Sequence, residues 1–474
     1  MEKFTEILNK INEYVWGLPL VILIISTGIL LTVRMKGLQI RRLPLALKYM
    51  IKNESGGKGE VSSFAALCMS LSATIGTGNI VGVATAVGIL AGGPGALFWM
   101  WIAAVLGMAT KYAEGFLAIK YRTIDENGHV LGGPFYYIEN GMGKKWKWLA
   151  KVFAFFGACV GLFGIGTFSQ VNGITNAVGN FFDPEKANTI SLFGKEYSIA
   201  VVIAGIVVAV SAALVIIGGI KRISDVSQVV VPFMAIAYIL ACTTLIFTNL
   251  DKLPNAIVLV VQSAFGIKPF AGGAFASVMI AMQKGVERGI FSNESGLGSA
   301  PIAAAAAKTN DPVRQGLVSM TGTFIDTVVI CTMTGLSIIM MGSWADENLQ
   351  GVAVTMDTYA KGLDFLPGEV SAFLLMVCLV FFAFTTILGW NYYGERCLEY
   401  LTNRNKMAVK IYRGLYIAAV AIGPYMTVEA VWTIAGIFNG LMAFPNIIAL
   451  LSLNGVVSRE TNEYFKNKQK IKRL

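Results

Sequence analysis

The chain is 474 residues long, 55% hydrophobic and only 14% charged. Soluble domains carry about 25% charged residues, so this composition excludes one and points to an integral membrane protein. The net charge of +10 would suit a nucleic-acid binder, but Lys and Arg are concentrated in alternate loops, which is a topology signal instead.

Met1 to Asn12 is polar and mixed in charge, and no cleavage site of small residues follows the first apolar run, so no signal peptide is expected. About eleven segments have the length needed to cross roughly 30 Å of hydrocarbon. They are Val15–Val33, Ser62–Leu90, Gly95–Ile119, Ala150–Phe181, Ile199–Ile217, Val226–Phe247, Gly273–Lys308, Leu317–Met341, Ser371–Cys397, Val409–Tyr425 and Glu429–Leu453. Leu253–Phe265 is apolar but too short to cross and reads as an interfacial or re-entrant piece.

Charge then orients these segments. Arg34, Lys36, Arg41, Arg42, Lys48, Lys52 and Lys58 follow the first, and Arg122, Lys144, Lys145 and Lys147 follow the third. Lys221 and Arg222 follow the fifth, Arg396, Arg404 and Lys406 the ninth, and a basic tail ends the chain. The opposite set is lean in Lys and Arg: 183–197 has only Lys186 and Lys195, and 344–369 has Lys361 alone. The alternation predicts an outside N-terminus and a cytoplasmic C-terminus in the plasma membrane. One segment followed by two sets of five divides the chain at residues 1–60, 61–250, 251–455 and 456–474. The expected fold class is an all-α membrane protein with a five-plus-five inverted repeat.

Two segments are interrupted in matching places. Ala73-Thr74-Ile75-Gly76-Thr77-Gly78-Asn79 breaks the second (62–90), and Phe291-Ser292-Asn293-Glu294-Ser295-Gly296-Leu297-Gly298-Ser299 breaks the seventh (273–308). Unwound backbone survives at membrane depth only where it lines a cavity or an ion site. A pair of discontinuous helices is the sequence pointer to a secondary transporter's binding site. N–H groups at the first break suit a carboxylate, and its carbonyls suit a cation. The plainer alternative there is a closely packed glycine pair. At the second break, Glu294 is either an ionisable group at membrane depth or, with Arg288, a solvated loop charge. Thr385 and Thr386 are suited to a hard cation, or bond their own helix carbonyls. Gln170 reads as an interhelical polar contact, Trp390 as a pocket wall or a belt residue. Lys111, Glu114 and Glu395 read as boundary or interhelical pairs.

With these residues in view, the chain resembles the alanine/glycine:cation symporter family of sodium-coupled carriers. The likeness rests on Ala73 to Asn79, on Lys284-Gly285-Val286-Glu287-Arg288-Gly289-Ile290 through Ser299-Ala300-Pro301, and on Phe384-Thr385-Thr386-Ile387-Leu388-Gly389-Trp390-Asn391-Tyr392-Tyr393-Gly394-Glu395. The resemblance implies a leucine-transporter-type fold and sodium-coupled uptake of alanine and glycine by alternating access. It implies that backbone at Ile75, Gly76, Thr77, Gly78 and Asn79 holds the substrate carboxylate. Gln170 and the Phe291 carbonyl would meet the ammonium, with Phe291, Trp390 and Phe168 as walls. Sodium, the coupling ion, would sit among Ala73, Gly76, Thr385 and Thr386. Two positions depart from the family: Ser295 stands where alanine is usual, and Ala304 where histidine is frequent, which bears on pH dependence and gating.

Other classes fit less well. The six cysteines show no ligand spacing, and His129 is the only histidine, in a loop. No catalytic cluster, phosphate-binding loop, organic cofactor, nucleic-acid site or obligate protein partner is indicated. The partners expected are small neutral amino acids and the lipid bilayer. The alternative within transport is a proton-coupled carrier in which Glu294 or Glu395 titrates.

Overall fold

A computed structural model describes residues 2–52, 54, 56–192, 195–267, 274–426 and 429–471. Gly273, where the seventh apolar segment starts, lies outside the described residues, as do Lys472 and Arg473 of the tail and the side chains of Lys468 and Lys470. The chain is nearly all helix. The strands described are two short hairpins, Thr123–Ile124 with Val130–Leu131 and Thr189–Leu192 with Lys195–Ser198.

Local chemistry sets the helix starts. The Ser62 hydroxyl accepts the Ala65 N–H at 3.0 Å and opens Ser63–Thr74. Asp311 accepts the N–H groups of Val313 and Arg314 to open Pro312–Thr323, and Asn405 does the same for Lys406–Ile422. Each side-chain acceptor satisfies a donor that the first helical turn leaves unpaired.

Among the described residues, eight helices are long and apolar enough to cross a membrane, nine if the pair Ser63–Thr74 and Gly78–Val87, bent by 55°, is one span. The chain is therefore a multi-pass, all-α membrane protein. Two of the expected segments fall short of that test. Ala274–Asn293 carries Lys284, Glu287 and Arg288, and Lys406–Ile422 has 17 residues. Leu253–Ala264 is a helix of 12 residues, as its length suggests. Ile203, Ile206, Val207, Val210 and Leu214 are all more than half exposed on Ile199–Ile216, an apolar face of the kind lipid covers.

One interruption is absent from the sequence reading. The fourth segment is two helices, Lys147–Phe163 and Phe168–Phe182, joined at Gly164–Thr167. The Thr167 hydroxyl donates to the Leu162 carbonyl at 2.9 Å across that joint. Neighbours leave no room for side chains at the joint: a Cβ on Gly166 would lie 2.5 Å from the Trp390 Cβ, and one on Gly164 2.4 Å from the Ala435 Cβ.

Candidate functional site

Helix Ser63–Thr74 stops at Ile75, whose ψ of 97° is extended, and the chain resumes as a wide turn at Gly78–Gly82. The groups freed by the break find neutral partners. The Gly76 N–H donates to Asn79 Oδ1 at 2.9 Å and the Thr77 N–H to Gln170 Oε1 at 3.3 Å. The Ile75 carbonyl accepts from Thr386 Oγ1 at 3.2 Å. Gly76 has no room for a side chain, because a Cβ would meet Thr386 Oγ1 at 2.6 Å and Gln170 Oε1 at 3.2 Å.

The second break is held by acids. Helix Ala274–Asn293 ends at Glu294, a non-glycine residue with φ of +56°, followed by Gly296 at +89° and Gly298 at +82°. A left-handed glutamate persists only where its surroundings fix it. Glu294 Oε2 accepts the Ser299 hydroxyl at 2.5 Å, and Oε1 accepts the Trp390 indole N–H at 3.1 Å. Glu114, from Gly95–Lys120, accepts the Gly296 N–H at 3.1 Å and the Asn446 amide at 2.7 Å. Glu294 is 2% exposed and its neighbours are as buried, which rules out a solvated loop. Beyond the break, helix Ala300–Ala304 is only five residues long. The chain then leaves the helix because the Ala306 carbonyl accepts the N–H groups of Glu60 and Val61.

Asp326 joins the two breaks. It is fully buried, accepts from Asn79 Nδ2 at 2.7 Å on one side and from Ser292 Oγ at 2.8 Å on the other. The sequence reading passes over it, although a lone acid inside the apolar Leu317–Met341 is a functional candidate by default. Of the boundary and interhelical readings of Lys111 and Glu114, their burial, 2% and 0% exposed, favours the interhelical one. Glu114 is interhelical in the manner described, and Glu395 pairs with Arg413 at 2.6 Å and with Arg396 at 3.1 Å. The hydroxyl of Ser295 is accommodated by Thr323 Oγ1 at 3.0 Å, and Ala304 is buried without polar contact from its side chain.

A cavity of about 260 Å³ opens beside the first break, and Thr77, Gly78, Phe168 and Phe291 line it. Gln170 lies behind it, 3% exposed. Trp390 does not line it. Its ring is wholly buried, which excludes a belt position, and it packs edge-on to Tyr393 at 5.6 Å behind Gly166. Asn79 is engaged at both ends of its amide as the cap of the break.

Of the residues expected around sodium, Thr386 lies beside Gly76, whereas the Thr385 hydroxyl turns to Phe382 and the Met234 sulfur. Thr385 and Thr386 are buried on Gly368–Leu401, both bonding the Phe382 carbonyl at 3.0 Å, and only Thr386 also reaches the break. A Cβ on Gly389, one turn on, would lie 2.7 Å from the Ala73 N. Hydroxyl and carbonyl oxygens are the donor type that a hard cation takes, and here only the Thr386 hydroxyl meets a carbonyl of the break.

At the end of the molecule away from the N-terminal helix, both broken segments are tied down. Arg122 donates to the carbonyls of Lys58 at 2.8 Å, Ala307 at 2.7 Å, Thr309 at 2.5 Å and also Ala305. His129 bridges Glu60 at 2.7 Å and Glu399 at 2.9 Å. Its hydrogen bonds to Glu399 and Glu60 push its pKa up to about 9, against burial and the nearby Arg396.

The chain matches the family model of the sodium:alanine symporter family over residues 1–473. It is 54% identical to an uncharacterized transporter of Haemophilus influenzae, over 97% of this chain and 96% of that one. It is 44% identical to the sodium/alanine symporter AgcS of Methanococcus maripaludis, over 98% and 99%. Identity to the probable sodium/glutamine symporter GlnT of Bacillus subtilis is 36%, over 97% and 90%.

Proposed function

This chain belongs to the sodium:alanine symporter family, and we propose that it couples sodium to the uptake of small neutral amino acids, alanine and glycine, by alternating access. The observation that carries the proposal is the first break, whose two N–H groups are held by neutral side-chain amides beside a cavity. A substrate carboxylate is a stronger acceptor than an amide oxygen and takes their place. Gln170 is then released to accept from the substrate ammonium, together with the Phe291 carbonyl. Ile75, Gly76, Thr77, Gly78 and Asn79 supply the backbone, and Phe168 and Phe291 the walls. Sodium binds among the Ala73 and Gly76 carbonyls and the hydroxyls of Thr385 and Thr386, so the ion and the substrate share one broken segment.

The chain is proposed to sit in the plasma membrane with its N-terminus outside and C-terminus inside, as a five-plus-five inverted repeat of leucine-transporter type. The divisions fall at residues 60, 250 and 455. On that orientation the cavity faces outward, and Arg122 and His129 close the cytoplasmic side. Lys58→Cys should be labelled only from the cytoplasm and Asp357→Cys only from outside; labelling of both from one side removes this topology.

Uptake of labelled alanine into proteoliposomes, with sodium replaced by choline at two pH values, tests the coupling. Sodium-dependent uptake at both is expected. Uptake that follows the pH gradient without sodium supports the second reading, proton coupling, which the buried Glu294 favours. Trp390 packs against Gly166, two residues before the Phe168 wall, and is proposed to limit side-chain size through that wall without lining the cavity. Trp390→Leu should let valine and leucine compete with alanine, and an unchanged selectivity assigns the size limit elsewhere.

A further inference from the structure

The cavity carries charge that the proposed site does not use. Helix Ala274–Asn293 presents Glu287 and Arg288 to it, one turn before Phe291. Glu287 is already matched, since Lys284 Nζ lies 3.2 Å from its carboxylate. Arg288 has no acidic partner among the described residues. Its guanidinium lies over the Phe291 ring, 5.8 Å from the centroid. Phe291 in turn reaches the first break, its Cδ1 lying 3.7 Å from where a Cβ on Gly78 would be. One aromatic ring therefore separates an unmatched cation from the broken backbone.

At that distance the ring is met by the charge of the guanidinium and not by its N–H groups, which stay available in the fork that takes a carboxylate through two parallel hydrogen bonds. We infer that Arg288 forms an outer subsite that takes the carboxylate of an incoming amino acid before it reaches the first break. The inference rests on the transport reading above and adds a first binding step to it. The amino acid arrives with its carboxylate on Arg288, and its carboxylate then moves past the edge of Phe291 to the N–H groups of Gly76 and Thr77.

The test uses initial rates of sodium-driven alanine uptake by the full chain in proteoliposomes, comparing wild type with Arg288→Gln and Arg288→Lys. Arg288→Gln should raise KM for alanine about tenfold, the scale of one hydrogen bond to a charged group, with Vmax within about twofold. Arg288→Lys should recover much of that loss, because a charge remains, though not the forked geometry. An unchanged KM in Arg288→Gln overturns the subsite. So does an equal fall of Vmax in both variants with KM constant, which is the mark of a packing role. If the unaltered protein takes up no amino acid with sodium or protons, the transport reading fails and the subsite with it. If wild type transports and Arg288→Gln matches it, only the subsite fails.

Discussion

The two breaks solve one problem with opposite chemistry. At the first, Gly76, Thr77 and Ile75 are matched by Asn79, Gln170 and Thr386, all neutral. At the second, Gly296, Ser299 and Trp390 are matched by Glu114 and Glu294, both buried acids. A neutral hydrogen bond is readily exchanged for a charged one, whereas a buried acid that loses its partners is costly. On the proposed transport reading, the first break releases its partners to a ligand and the second holds its shape while that happens. Asp326, bonded to Asn79 and to Ser292, couples them.

The harshest test of this contrast is at the second break. Glu294→Ala leaves the Trp390 N–H and the Ser299 hydroxyl without acceptors, at about 1–3 kcal/mol each. A loss of thermal stability and of uptake is expected, while Glu294→Gln, which keeps an amide oxygen, should lose less. Equal melting temperatures for wild type and Glu294→Ala would mean that this break is not held by its acid.

At the first break, space is the sharper constraint. Gly76→Ala drives a methyl against Thr386 and Gln170, and such overpacking costs about 1–3 kcal/mol. Uptake should fall by about tenfold or more, since 1.4 kcal/mol is a factor of ten. Gly78→Ala meets nothing closer than 3.7 Å and should fold normally, with its effect confined to the KM for alanine. If the two substitutions behave alike in uptake and stability, close approach at Gly76 is not what shapes the break.

Much of this contrast is legible in the sequence, and the reason is physical. Glycines with polar neighbours inside an apolar run mark unwound backbone, so both breaks and their order are readable. The partners are less so. Glu114 and Lys111 lie near the end of an apolar run, where hydropathy cannot tell a buried charge from a boundary one. Asp326 is a single residue in a run that stays apolar on average. The Gly164–Thr167 joint is invisible because the Trp390 and Ala435 side chains that crowd it are over 200 residues away. The half-helix beyond the second break is shorter than its alanines suggest, since the backbone of Glu60 and Val61 captures the Ala306 carbonyl.

A smaller effect separates the two threonines. Both bond Phe382, but only Thr386 reaches the Ile75 carbonyl. Thr386→Val should raise the sodium concentration for half-maximal uptake about tenfold, the scale of one contact to a charge. Thr385→Val should shift it less, and the double variant at least as much as Thr386→Val. Unchanged sodium dependence in the double variant removes both from the ion site.

The smallest effect is expected where the breaks meet at their far ends. Glu60 and the Lys58 carbonyl precede the first broken helix, and the other carbonyls that Arg122 gathers follow the second, so the same clamp closes on both. His129 completes it by bridging Glu60 and Glu399, with Arg396 2.7 Å from its Nε2 and Val130 N–H on the same Glu60 oxygen. The folded pKa is raised from 6.5 to about 9, so the bridge stabilises the clamp fully below 6.5 and loses that contribution as pH rises towards 9. If the clamp holds the cytoplasmic path shut, a cysteine in place of Lys58 should become more reactive between those pH values, after correction for thiol ionisation with a free-thiol standard. In His129→Gln that rise should vanish and reactivity should sit at the high-pH level throughout, while thermal stability below pH 6.5 should fall modestly. A His129→Gln protein that keeps the wild-type pH profile would transfer the titration to another group and leave Arg122 as the part of the clamp that matters.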